Sequence, residues 1–159
     1  MSDPVVVAAQ EIFEDSIEDL HDSVSGLPAD ALNWRPAGDE TNPIAVLAVH
    51  AMGATHSWLA VAFGAPLPER DRDAEFLTVA EDAPTLVTQV DVQAEACRTL
   101  FANADPFEPA TMRTSHSRMR SGEFEVVSGA WALLHAVEHL REHVAHALLT
   151  RQLWERREA

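Results

Sequence analysis

Tyrosine is missing from this chain of 159 residues, cysteine occurs once, and basic side chains are outnumbered by acidic ones. Without a phenol, one common acid–base group and haem ligand is gone. The lone Cys97 excludes an internal disulfide and any cysteine-rich zinc site, and it fits a reducing cytoplasm. Lys+Arg 11 against Asp+Glu 26 leaves a formal charge of -15. Such a chain repels phosphate backbones and anionic lipid, so neither nucleic acid nor a membrane surface is an expected partner. No basic segment leads into an apolar run at the start, and no apolar run reads as long enough to span a bilayer, so a soluble cytoplasmic protein is expected. The length suits one domain over residues 1–159 with a single core.

What is present is helical periodicity, which predicts an all-α fold of four long helices. The first covers Pro4 to Val24, with Phe13, Ile17, Leu20 and Val24 on one face and Glu11, Glu14, Asp15, Glu18 and Asp19 on the solvated sides. His21, near its end, compensates the helix dipole. After a connection from Gly26 to Thr41, Asn42-Pro43 predicts an N-cap followed by the first helical residue. The second helix, Pro43 to Phe63, is apolar almost all round, which argues for burial. Trp58, Leu59 and Phe63 exceed what one side of a small core needs, so a two-fold homodimer is expected. Asp82-Ala83-Pro84 opens a third helix, 84–102, whose stripe of Val87, Val90, Ala94, Cys97 and Phe101 marks Cys97 as packing.

The connection between helices 2 and 3, Gly64 to Pro84, is long and highly charged. It predicts a crossover, so those two helices need not be antiparallel neighbours. Residues 103–127 read as irregular, with a short hairpin around Ser121-Gly122. This stretch carries Arg113, Arg118 and Arg120, which read either as a solvated loop or as a clamp for an anionic substrate. The chain shows no internal repeat and no low-complexity segment.

The fourth helix, 128–155, reads SGAWALLHAVEHLREHVAHALLTRQLWE and holds four of the eight histidines. With His135 at zero, His139 falls at about 40°, His143 at about 80° and His146 at about 20° around the axis, so all four leave one narrow side. Leu134, Val137, Val144 and Leu148 mark a neighbouring apolar stripe. Two imidazoles at i, i+4 stand about 6 Å apart along the axis and can grip one ion from the same side. His135 to His146 spans roughly 16 Å, so one i, i+4 pair is primary and a third ligand comes from elsewhere. Helix 2 offers His50 and, about 120° away around its axis, His56. If helices 2 and 4 run antiparallel, His50 lies at the level of the His139/His143 pair, about 13 residues from the same end of the bundle; His135/His139 fits less well.

Two rival metal architectures fail. A di-iron carboxylate bundle needs Glu-x-x-His on two helices, whereas His135-x-x-Glu138 and His139-x-x-Glu142 run the other way. A haemerythrin-like site needs histidines from more helices, and helix 3 has none. A mononuclear site of His50, His139 and His143 with open positions remains.

The segment LNWRPAGDETNPIAVLAVH, the following HSWL, and LLHAVEHLREHVAHALLTRQLW together resemble the DinB-like superfamily, and the likeness covers nearly the whole chain. That group includes thiol-dependent metalloenzymes that act with mycothiol or bacillithiol. The resemblance implies a four-helix bundle in up-down-down-up order, often dimeric. It also implies a metal triad of one helix-2 histidine and an H-x-x-x-H pair, which falls on His50, His139 and His143. Many relatives carry glycine just after the last ligand, where this chain has Val144-Ala145-His146.

The function expected is a divalent-metal-dependent enzyme, a thiol-dependent S-transferase or a related detoxification or isomerase activity on a small electrophile. Zn or Ni, or else Fe, is the expected metal, with a low-molecular-weight thiol as cosubstrate. Trp58 and Trp131 would line the pocket, Arg113 and Arg118 would hold an anionic group, and Glu138, Glu142 and His146 would move protons or support the ligands. The rivals are a metal-dependent hydrolase and a non-catalytic metal-binding stress-related dimer, whose structural ion needs a fourth ligand such as His146 or Glu142. The plainest alternative is a helical bundle whose polar core histidines hold no metal.

Overall fold

The computed structural model describes residues 3–118 and 123–157. The chain is mostly helical, and each long helix begins where local chemistry allows. In α1 (Pro4–Val24), Asp3 caps the start by accepting from the Val5 N–H at 2.8 Å, and Gly26 takes a φ of 75° just past the end. In α5 (Ala83–Ala102), Asp82 accepts from the Thr85 N–H at 2.8 Å. In α6 (Gly129–Arg156), Ser128 accepts from the Trp131 N–H at 3.2 Å. Each cap satisfies a donor that the first turn leaves without a partner.

The start of α3 (Ile44–Phe63) differs from the sequence expectation. Pro43 is itself the cap residue, extended at φ -72 and ψ 163, and no side chain caps the helix, so Asn42 is not the N-cap. The extended ψ of Pro43 moves the helix start one residue along. At the other end Gly64, at φ 68, closes α3 in the left-handed region that glycine tolerates.

The long helices pack in neighbouring pairs: α1 with α6, α6 with α3, α3 with α5, and α5 with α1. Contacts advance together along α1 and α6, where Asp19 meets Arg141 at 2.7 Å and Ser25 O accepts from Arg151 at 2.8 Å. Along α3 and α6 they run oppositely, with Trp58 on Trp131 at 5.3 Å and His50 on His143 at 5.1 Å between ring centres. Phe13, on α1, packs against Phe101 of α5, which also meets Phe63 of α3. Trp58 and Leu59 are buried inside the chain, and half-buried Phe63 packs on Phe101 and Phe107.

Two further readings are corrected. The stretch Gly38–Phe63 is long and apolar enough to cross a membrane, contrary to the expectation from sequence, but 83% of its window is buried within the chain. It behaves as a core helix. On α6 the buried face is Leu133, Ala136, Val137, Leu140, Val144 and Ala147, while Leu134 is 56% exposed. The core stripe therefore lies further from His135 and His146 than from His143, which turns His139 and His143 inward toward α3.

The connections carry short elements that the sequence did not announce: α2 (Ala29–Leu32), a 3-10 turn (Gly38–Glu40) and α4 (Arg72–Glu75). Residues after α5 form an antiparallel hairpin of β1 (Met112–Arg118) and β2 (Phe124–Ser128). Met112 pairs with Ser128 and Thr114 with Val126, and the register shifts before Arg118 pairs with Phe124. The Ser121-Gly122 turn lies outside the described residues, as do Arg120 and the Arg118 side chain. This hairpin and the 64–82 connection close over one side of the α3–α6 seam.

Candidate metal centre

Three imidazoles meet in that seam. His50 on α3 and His139 and His143 on α6 each offer a ring nitrogen, and these atoms lie within 4.8 Å of one another. The Nε2 atoms of His139 and His143 are 3.2 Å apart. Two nitrogens bound to one ion at about 2.0–2.1 Å in tetrahedral array stand roughly 3.3 Å apart. His50 is 6% exposed, and its Nδ1 sits 2.9 Å from Glu75 Oε2. Its ring also packs on Phe76, 4.6 Å between centres.

Basic and aromatic residues predominate around the trio, with Glu75 the acidic partner of His50. A cavity of about 470 Å³ is lined by His50, Ala54, Trp58, Arg70, Arg72, His116, His135 and His139. Trp58 lies against His116 and His135, with ring centres 4.7 and 4.9 Å away, and Trp131 stacks on His135 at 4.6 Å. Arg70 holds Glu75 through Nε at 2.6 Å and Nη2 at 2.7 Å, and its Nη1 is 3.4 Å from His116 Nε2. Arg72 lies over the Phe76 ring at 4.9 Å. A larger cavity of about 650 Å³ lies between α3, α5 and residues 68–78, and His56, Gln89 and Gln93 line it.

Burial sets the protonation of the site. Desolvation, with the charges of His143 and His50 next, pushes the His139 pKa down to about 3. Desolvation and then His50 and His146 lower His143 to about 4. His116 also falls to about 4, through desolvation and the Arg70 charge. Burial works against the Glu75 charge, but hydrogen bonds from His50 and Arg70 outweigh it and hold the carboxyl below its ordinary value. At neutral pH the two α6 imidazoles are therefore uncharged, as ligation requires.

The structure brings together some of the predicted site residues and separates others. Trp58 lines the histidine cavity, and Trp131, 42% exposed, flanks it. Glu138 is exposed and faces His135, with Oε2 3.3 Å from Nδ1. Glu142 and His146 are exposed, and the His146 ring is 6.2 Å from that of His143. Arg113 does not line the cavity. Its guanidinium binds Glu108 at 2.9 Å and fills the space left by Gly64 and Gly129 at the far end of α3. Cys97 is fully buried, and desolvation pushes its thiol up to about 12, which fits packing and not reactivity.

Sequence reasoning missed Arg70, Arg72, Glu75, Phe76 and His116. The first three sit in a charge run, Glu69 to Asp73 and beyond, that reads as solvated. The alternation of Arg70 and Arg72 with Glu69 and Asp71 was the available signal: both arginines line the histidine cavity, which neither acidic residue does, although Arg70 reaches the larger cavity as well.

The donor set fits a divalent ion: three ring nitrogens converge and the α6 pair is kept neutral. Residues 12–147 match the family model of the DinB superfamily. No curated protein matches the chain.

Proposed function

The chain belongs to the DinB superfamily, and from that premise we propose that it is a metal-dependent enzyme in which His50, His139 and His143 hold one divalent ion. The reaction proposed is transfer of a small thiol to a small electrophile. The observation that carries this reading is the convergence of three imidazoles, two of which, His50 and His139, line a cavity of about 470 Å³ that could take a small molecule. The contact directions along α1, α3 and α6, with Glu14 on Arg98 and His21 on Asp91 setting α5 opposite to α1, support an up-down-down-up bundle as its frame.

A divalent ion held by neutral imidazoles keeps its full charge and supplies Lewis acidity, which turns a thiol or water into a nucleophile near neutral pH. Zinc or nickel suits the all-imidazole set, and iron is the further option. The chain's own residues do the rest. Trp58 and Trp131 offer an apolar wall for the electrophile, and His116 presents an uncharged imidazole beside Trp58. Arg72 and the outer nitrogen of Arg70 supply the positive charge on the lining, which suits a substrate with an anionic group. These arginines take the place first given to Arg113, which lies elsewhere; the Arg118 side chain is outside the described residues.

A structural ion needs a closed shell of four protein ligands. His146 and Glu142 are both exposed, which favours the open, catalytic reading. With its charge of -15, the protein is proposed to act on small molecules and not on nucleic acid or membrane surfaces.

The test is conjugation of a small thiol to a chlorodinitrobenzene electrophile by zinc- or nickel-loaded protein. Turnover that needs both metal and thiol supports the reading. Metal-dependent ester hydrolysis without thiol would replace it with the hydrolase alternative.

A further inference from the structure

His50 is held differently from its two companions. His139 and His143 have no protein partner at Nδ1 among the described residues, whereas His50 Nδ1 lies 2.9 Å from Glu75 Oε2. Both atoms of that contact are deeply placed, with side-chain exposures of 8% and 9%. Arg70 meets the same carboxylate with two nitrogens, Nε on Oε1 at 2.6 Å and Nη2 on Oε2 at 2.7 Å. A carboxylate gripped in this two-pronged way is ionised and can only accept. The proton in the His50–Glu75 bond therefore belongs to His50 Nδ1, and Nε2 is the atom left to the site.

The close seat of Glu75 depends on what α3 lacks one turn after His50. Gly53 interrupts an apolar helix where glycine costs helix stability. A Cβ there would collide with Glu75 Oε1 and stand 3.2 Å from Arg70 Nε. Only a residue without a side chain lets the carboxylate lie against the helix and still reach the imidazole.

We infer that Glu75, clamped by Arg70 and admitted by Gly53, is the positioning residue that fixes the His50 ring and turns its Nε2 toward His139 and His143. Carboxylate partners of this kind orient metal-bound histidines and raise their basicity, and their loss weakens metal affinity about 10- to 100-fold. The inference rests on the metal reading for its effect on affinity, but the ring orientation stands apart from it. The 64–82 connection thus belongs to the site and is more than a crossover between helices.

Two measurements test this on the full chain: zinc affinity against a competing chelator, and the His50 tautomer by long-range proton–nitrogen NMR of metal-free protein. Wild type is expected to show His50 protonated at Nδ1. Glu75→Gln keeps the shape and removes the charge, and it should weaken zinc binding about 10-fold or more while one ion still binds at saturation. Gly53→Ala should weaken it similarly, although alanine is the better helix former. Glu75→Ala should release the tautomer. Should Glu75→Gln fail to fold by circular dichroism, Gly53→Ala and the wild-type tautomer carry the test. Affinities within about twofold of wild type in both Glu75→Gln and Gly53→Ala, or a wild-type His50 protonated at Nε2, overturn the inference. If wild type binds no zinc yet holds the Nδ1–H tautomer, the metal reading falls and the positioning role of Glu75 is upheld.

Discussion

His139 Nε2 lies 3.2 Å from His143 Nε2, one turn apart on α6 and facing His50 across the seam. Without a cation this contact needs one imidazole to donate to the other, and each has only one proton to give. A shared ion would satisfy both at once, so metal should stabilise the fold by mass action. At a free zinc concentration 100 times Kd, the gain is about 2.7 kcal/mol, which raises the melting temperature by several degrees. A thermal scan with zinc, and with zinc plus chelator, checks this; a melting point unmoved by zinc speaks against a folded-state site.

Acid should weaken the metal-free protein. His139, at about 3, and His143 and His116, at about 4, bind protons less readily when folded than unfolded. Between roughly pH 4 and 6.5 the unfolded chain therefore holds more protons, so stability rises with pH through that window and is lost as pH falls. Denaturation midpoints at pH 7.5, 5.5 and 4.5 should decline in that order. The decline should be shallower in His143→Asn, because one depressed histidine is gone.

The core contributes where α1 meets α5. Phe13 is fully buried and its ring meets that of Phe101 with centres 5.6 Å apart. Phe13→Ala should cost roughly 3–5 kcal/mol, through lost burial and the cavity left behind. Urea unfolding followed by helical circular dichroism measures it, with the metal content per folded chain unchanged.

Arg72 and Arg113 should separate cleanly. Arg72 lines the histidine cavity, so Arg72→Ala should raise KM several-fold for an anionic substrate and leave a neutral one alone. Arg113 packs at the far end of α3 against Gly64 and Gly129, with its side chain 16% exposed. Arg113→Ala should leave KM untouched and cost about 1 kcal/mol of stability, because its stem and its bond to Glu108 are both lost. Steady-state kinetics with paired anionic and neutral substrates, beside unfolding curves, distinguish the two.

The long helices were legible because their ends carry local chemistry. The opening at Asp82-Ala83-Pro84 is borne out, Ser128 proves to be the cap of the helix it was read as starting, and the spacing of Phe13, Ile17, Leu20 and Val24 gave the buried face of α1. The α3 start was misplaced by one residue, because Pro43 stays extended while still permitting a helix after it. On α6 the apolar stripe was drawn through Leu134, which is exposed, since leucines lie on most sides of that helix and periodicity alone does not rank them. The trio of His50, His139 and His143 could be assembled from two helices because spacing and level are helix properties. Glu75, Arg70 and His116 could not. They reach the site through an irregular connection and a hairpin, whose paths no periodicity encodes, and the Glu75–His50 contact spans 25 residues.

Metal content of seven purified proteins tests the central claim most directly: wild type and the alanine variants of His50, His139, His143, His56, His135 and His146, each loaded with zinc, desalted and analysed by elemental mass. Wild type should hold one ion per chain. The variants His50→Ala, His139→Ala and His143→Ala should each lose most of it, having lost one of three ligands. His56→Ala should keep the ion, because its ring turns to Gln93, with Nδ1 3.3 Å from Oε1. His135→Ala and His146→Ala should keep it as well, since neither belongs to the converging set. An empty site in His135→Ala or His56→Ala beside a full one in His143→Ala would contradict this ligand set and put the metal elsewhere along the seam.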